Sequence, residues 1–400
     1  MKKILIVISS LRRGGAERAV SNLTMNFSED WEIDILLNND KVIDYPYRGR
    51  LLSLGLNGQN NMSSLIFHLK LLLRRINRLR QLKKTKQYDA CISFMDSANV
   101  ANILSGNKYT KVIGSVRTNV RKFGETSLKY KYTVNPLIKM LYNKADAIVA
   151  VSSGVRQELI DNFGLKDNKI ITIENGCDIV SLKNQADEPW DTEDSLLKGK
   201  KIIVTVGRLS EEKAHLHLIR AFGEISKHDK KAVLLILGTG SLESYLKKLV
   251  IDIGIQDRVI FKGFVQNPYK YVAKADIFIM PSLFEGYPNA MAEAVCLGVP
   301  CIAADFQTGA REILAPELVG DKTEIRDVYL AQYGILTPVC SGKQYEGKDE
   351  LETAEVKMAD AITMILLDEE KRRYYASKSI ERSKDLGIES VIQKWIEVVS

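Results

Sequence analysis

The stretch KIIVTVGRLSEEKAHLHLIRAF, residues 201–222, holds a strand, a loop and a helix in succession. Residues 201–207 are apolar or β-branched at nearly every position, as in a parallel strand covered on both faces. The loop opens on Arg208, and Lys213 follows where the helical pattern begins. Ligands of open parallel sheets bind at the carboxyl ends of the strands, so both cations stand where chemistry is expected and can converge on one anion. A diphosphate suits that arrangement; the competing reading is a pair of solvated surface charges. His215 and His217 lie on the same helix, and an HxH pair without a third ligand nearby is better read as exposed helix positions than as a metal site.

The same alternation extends in both directions. Downstream, residues 232–238, 258–263, 276–281 and 300–304 form further strands separated by helical segments. Upstream, residues 3–9, 31–37, 89–94, 111–116, 146–151 and 169–173 repeat the pattern. The expected fold class is α/β, with two Rossmann-like, doubly wound domains facing a central cleft, which is the default site. The expected boundaries are 1–180 for the first domain, a polar linker over 181–200, and 201–375 for the second. A C-terminal helical segment, 376–400, can cross back to the first domain.

Composition agrees with this. A chain of 400 residues calls for about two domains. Hydrophobic residues at 45% and charged residues at 27% argue against long disordered spans. The opening apolar run, Ile4 to Ile8, is too short for a secretory leader, and no run reaches the roughly 18 residues of a membrane span. The five scattered cysteines suit reduced thiols in a cytoplasmic protein. Charge is uneven: residues 1–180 carry net +12 and the remainder net −5, so the first half is suited to an anionic partner. Aromatic residues do not interleave with the basic ones, which argues against nucleic acid.

Other loops at strand ends add to the site. In SSLRRGGAERAV, residues 9–20, Gly14 and Gly15 allow a tight turn into a helix whose N-terminus favours an anion. LGTGSLES, residues 237–244, places Gly238 at another strand end. FEGYPNAMAE, residues 284–293, sets Glu285 in a loop and Glu293 one turn inside the helix that the loop opens. Each carboxylate can grip adjacent ring hydroxyls, so the two suit a sugar and a ribose of one elongated ligand. Gly286, Tyr287, Pro288 and Asn289 form the helix start between them. Residues 63–86 carry eight Lys and Arg and no acid. There Leu65, Leu69, Leu72, Ile76 and Leu79 read as a core stripe. Lys70, Arg74, Arg75, Arg78 and Lys83 read as a basic face for an anionic membrane surface or a lipid-linked diphosphate. His68 on this helix reads as a surface or packing residue.

Taken together, the Glu285/Glu293 pair, GGAER, VGRLSEEK and LGTGSL resemble the retaining glycosyltransferases of family 4, with the GT-B fold, over nearly the whole chain. SFMDSANVANIL, residues 93–104, is similar to members that extend lipid-linked glycans in bacterial polysaccharide or glycoprotein assembly. The resemblance implies transfer of a hexose or N-acetylhexosamine from a UDP-linked sugar to a polyprenyl-diphosphate-linked acceptor. It places the protein in the cytoplasm, at the inner face of the cell membrane. Arg208 and Lys213 would hold the diphosphate with Gly15 close by, and Glu285 would contact the sugar. Glu293 would take the ribose, and the backbone near Phe264 and Val265 would meet the base. No metal or other cofactor is expected, the nucleotide sugar being a substrate. The family's histidine after the strand at 111–116 is replaced by Arg117, which cannot act as a base and would bind sugar or phosphate. The alternatives are a nucleotide-sugar epimerase of the same fold and a non-catalytic nucleotide-sugar-binding module. A dinucleotide oxidoreductase is disfavoured because the third glycine of its fingerprint is missing.

Overall fold

The computed structural model describes residues 2–12, 14–55, 65–106, 108–191, 194, 197–306 and 308–400, without the side chains of 65–68 and 126. Arg13, the first two residues of the 63–86 segment, the side chains of Leu65 and His68, and four positions of the expected linker lie outside the described residues.

The chain forms two compact units, Met1–Gly176 with Ile388–Ser400, and Cys177–Gly387. In the first, seven parallel strands are β1 (Lys3–Val7), β2 (Glu32–Leu37), β3 (Arg50–Ser53), β4 (Ala90–Phe94), β5 (Lys111–Val116), β6 (Ala147–Ala150) and β7 (Ile170–Thr172). They lie in the order β3-β2-β1-β4-β5-β6-β7. The central strands are buried along their length because helices cover both faces. Helices α1 (Gly15–Asn26), α2 (Leu65–Lys86), α3 (Asp96–Leu104), α4 (Val120–Thr126), α5 (Asn135–Leu141) and α6 (Ser153–Phe163) connect them. On one face Ile76, Leu79 and Leu82 of α2 meet Leu5, Val7 and Ala98. On the other, Val20 and Leu23 of α1 pack with Trp395, whose ring centre is 5.9 Å from that of Phe94.

The second unit begins with α7 (Ile179–Ala186) and repeats the plan in β8 (Lys201–Val206), α8 (His215–His228), β9 (Ala232–Leu237), α9 (Glu243–Ile253), β10 (Val259–Gly263), α10 (Tyr269–Val272), β11 (Ile277–Met280), α11 (Asn289–Cys296), β12 (Cys301–Ala304), α12 (Ala310–Leu314), β13 (Tyr329–Leu330) and β14 (Ile335–Thr337). The sheet order is β10-β9-β8-β11-β12-β14-β13, with only the β13–β14 edge pair antiparallel. Helices α13 (Thr353–Leu367) and α14 (Glu369–Ser383) belong to this unit, and α15 (Ile388–Val399) belongs to the first.

Two boundaries differ from the sequence expectation. Residues 181–200 do not form a free linker. Asp178 caps α7 by accepting from Ser181 N at 2.9 Å, and Trp190 Nε1 donates to Lys270 O at 2.9 Å. Tyr271 OH donates to Asp194 at 2.7 Å, holding the polar stretch on the second unit. At the other end α14, expected from residue 376 to be outside the second domain, is tied into it: Ser379 Oγ donates to Val299 O at 2.9 Å and an Arg382 Nη to Glu312 O at 2.7 Å. The chain passes between units beside Gly176, where a Cβ would lie 2.7 Å from Ile388 Cα, so glycine is required.

Candidate functional site

In the second sheet β8 leads to β9 on one side whereas β11 leads to β12 on the other, so the strand order reverses between β8 and β11. Such a reversal leaves a crevice at the carboxyl ends of the strands. Gly207, Arg208 and Lys213 follow β8, Gly238 follows β9, Phe264 and Val265 follow β10, and Glu285 follows β11. Backbone bonds lock these loops together: Gly207 N to Leu237 O at 3.0 Å, Leu209 N to Thr239 O at 3.0 Å, Gly238 N to Gly263 O at 2.8 Å, and Leu283 N to Glu212 O at 2.8 Å. Gly238 has φ 146°, and a Cβ there would fall 1.9 Å from Gly207 O. Only glycine permits that approach.

The last of these bonds brings the two charged loops face to face. Lys213 Nζ donates to Glu285 Oε1 at 2.5 Å, with 23% and 12% of the two side chains exposed. Ser282 Oγ donates to the same carboxylate oxygen at 2.8 Å, and Thr308 Oγ1 to Glu285 O at 2.6 Å. Arg208 is exposed. Tyr287 and Pro288 are buried at the start of α11, Gly286 and Asn289 are partly open, and Glu293 is buried one turn inside. Phe264 is exposed beyond β10 and Val265 partly so. Helix α8 has no side-chain cap, so the N–H groups of its first turn lie unclaimed by a cap next to Lys213.

His215 and His217 are both buried, correcting the expectation of exposed positions. Helix α8 is covered on one side by the sheet core and on the other by α13, leaving almost no solvent face before Ser226. Burial, with Lys213 adding, pushes the His215 pKa down to about 3, so the ring is neutral. His217 Nδ1 lies 2.7 Å from Glu355, which also accepts from Arg220 Nε at 2.8 Å, and His217 Nε2 accepts from Gly342 N at 3.2 Å. His217, Cys340 and Glu352 are the one group among the described residues spaced to hold a metal ion. Both ring nitrogens have protein partners, and Glu352 accepts from Ser341 N at 2.8 Å and Tyr345 OH at 3.0 Å.

The first sheet reverses between β1 and β4. Gly14 and Gly15 open α1 after β1, with the carboxylate of Glu17 folded against Gly14. Arg117 follows β5 and lies over the Phe94 ring at 5.6 Å. After β4, Met95 has φ 74° and ψ 153°, a region that strains a side chain, and Asp96 accepts from Tyr130 OH at 3.0 Å and Tyr142 OH at 3.2 Å. Burial raises the Asp96 pKa and the tyrosine bonds oppose it. On α2, Lys70 and Arg74 are exposed and Arg78 is partly so. Arg75 and Lys83 are not on that face. Arg75 is buried, donating to Asn38 Oδ1 at 2.5 Å and Ser97 Oγ at 3.1 Å, and burial lowers its pKa to about 10. Lys83 donates to Asn102 O and Gly106 O at 3.1 and 2.9 Å, at the carboxyl end of α3 where a cation is favoured. Leu69, expected in the core stripe, is exposed.

Residues 13–180 match the family described as Glycosyltransferase Family 4, and residues 187–322 match Glycosyl transferases group 1. A Campylobacter jejuni protein named N-acetylgalactosamine-N,N'-diacetylbacillosaminyl-diphospho-undecaprenol 4-alpha-N-acetylgalactosaminyltransferase is 30% identical over 96% of this chain and 95% of its own. An uncharacterized glycosyltransferase of Methanocaldococcus jannaschii is 31% identical over 84% of this chain and 85% of its own. The chain is a family 4 glycosyltransferase. Its GT-B fold is shared with Anabaena HepE, solved in complex with UDP and glucose, at TM-score 0.74 and 17% identity over 100% and 99% of the two chains.

For the glycosyltransferase, sequence reasoning found the loops of the second sheet but missed Ser282, Thr308 and the direct Lys213–Glu285 pair. Thr308 carries no local signal, because it acts on the loop of the neighbouring strand, 23 residues away; Ser282 lies three residues before Glu285 in the same loop, where a serine reads as an ordinary loop residue. Asp96 was legible only as part of SFMDSANVANIL; its tyrosine partners lie 34 and 46 residues away.

Proposed function

We propose that the glycosyltransferase moves a hexose or N-acetylhexosamine from a UDP sugar to a glycan carried on a polyprenyl diphosphate, with retention of anomeric configuration and without a metal. This places it in cell-surface glycan assembly at the cytoplasmic face of the membrane. The observation that supports the reading most is the Lys213–Glu285 pair at the β8–β11 reversal. A bound diphosphate would take over Lys213 with Arg208 and the uncapped start of α8, freeing the Glu285 carboxylate for sugar hydroxyls. Glu293 would hold the ribose, and the backbone at Phe264 and Val265 the base.

In this mechanism the sugar C1–phosphate oxygen bond breaks through an oxocarbenium-like state. The acceptor oxygen bonds to C1 on the same face, and its proton passes to the departing phosphate oxygen. Fixed cations stabilise the charge that grows on the leaving diphosphate, worth a few kcal/mol per preorganised contact. Arg117 would bind sugar or phosphate, since its guanidinium stays protonated. Lys70, Arg74 and Arg78 would face the acceptor diphosphate or anionic headgroups, whereas buried Arg75 would tie α2 to the loop at Asn38 and to the start of α3 at Ser97. Two Campylobacter jejuni relatives named as transferases that act on undecaprenol-linked diphosphate glycans support the acceptor class. The test is incubation with a panel of UDP sugars and polyprenyl-diphosphate glycans, reading products by mass spectrometry and anomeric configuration by NMR. A glycan longer by one α-linked sugar is expected from an α-linked donor; an inverted linkage, or release of free altered sugar without acceptor, contradicts the reading.

A further inference from the structure

From Leu128 the chain is helical through a π turn, Tyr130–Val134, into α5. Its inner side is fixed: Tyr130 bonds Asp96 at 3.0 Å, and Ile138, Leu141 and Tyr142 are buried. Its outer side carries Leu128, Tyr132, Pro136 and Met140, each four residues from the last and therefore stacked along one face. Leu128 is 75%, Tyr132 69% and Met140 61% exposed, a line of large apolar side chains on a soluble surface. Around them stand Lys129, Lys131, Lys139 and Lys144, all exposed, and residues 126–145 contain no Asp or Glu.

Helix α3 packs against both α2 and α5, so these lie on the same side of the first sheet. There α2 also exposes Leu69 and Leu73 beside Lys70 and Arg74. A second copy of the chain is a poor occupant, because a symmetric contact would set lysines against lysines. An anionic bilayer meets both features, taking the apolar side chains among its headgroups and the ammonium groups on its phosphates.

We propose that the outer face of residues 128–140, with Leu128, Tyr132 and Met140 inserted and Lys129, Lys131 and Lys139 on lipid phosphates, docks the first unit on an anionic membrane surface. This rests on the reading of a lipid-linked acceptor but is tested without turnover.

The experiment is flotation of the full chain with vesicles of phosphatidylcholine alone or mixed with phosphatidylglycerol. Wild type is expected to float with the mixed vesicles and to be released by salt. Leu128→Ser/Tyr132→Ser/Met140→Ser is expected to partition at least about tenfold more weakly, with melting temperature and UDP affinity unchanged. Lys129→Glu/Lys131→Glu/Lys139→Glu is expected to lose the preference for phosphatidylglycerol. Unchanged flotation of both variants overturns the proposal, as does a wild type that never floats or a face whose mutation instead dissolves a dimer in sedimentation. Flotation as predicted without transfer to any lipid-linked acceptor leaves the docking face standing and removes the acceptor reading.

Discussion

Lys213 and Glu285 meet while both remain partly open to solvent, so either can exchange its partner for a group of the donor. If Arg208 and Lys213 stabilise the leaving diphosphate, Arg208→Ala or Lys213→Ala lowers turnover by about 100-fold or more. Steady-state rates check this, and near-normal rates in either variant remove the role. Just after Lys213, Ala214 sits at φ 53° and ψ 30°, a left-handed conformation that costs a residue with a Cβ about 1 kcal/mol. Ala214→Gly should therefore stabilise the protein by up to roughly 1 kcal/mol, less the added freedom of the unfolded chain. Denaturant melts read this directly, and a destabilised variant contradicts it. At this scale the charged residues of strand-end loops were legible because a strand end is a local pattern. His217 was not, because its partners Glu355 and Gly342 lie more than a hundred residues away.

Among the elements, α4 shows how a buried charge ties helices together. The carboxylate of Glu158, on α6, accepts from Arg121 N at 3.0 Å at the start of α4. Burial raises its pKa to about 7. The sign follows from linkage: the folded state holds its proton more tightly than the unfolded state, so stability is fullest below about pH 4.5 and is lost as pH rises toward 7. Glu158→Gln keeps a carbonyl acceptor without the charge. It should be more stable than wild type at pH 8, by up to an order of 3 kcal/mol, with the gap closing toward pH 4.5. Thermal melts across that range measure it, and a gap independent of pH contradicts it. Strands with continuous apolar runs, such as β1, β8 and β9, were legible. The short strands β3, β13 and β14 were not, since none offers more than two consecutive apolar residues to read.

At the scale of the whole molecule, two doubly wound units in one chain followed from the restart of the strand–helix alternation at residue 201. The exact crossing at Gly176 did not, because composition marks polar segments and not which body they pack on. If Arg208, Lys213 and helix N-termini meet the charge of the donor, as proposed, turnover should persist in excess EDTA. Loss of activity with chelator and recovery with a divalent cation would contradict that assignment. The most direct measurement is a crystal structure of the glycosyltransferase with UDP bound. The account predicts the diphosphate within hydrogen-bond distance of Arg208 and Lys213, with the ribose hydroxyls on Glu293. A nucleotide seated elsewhere, with the Lys213–Glu285 pair intact and Glu293 untouched, would contradict it.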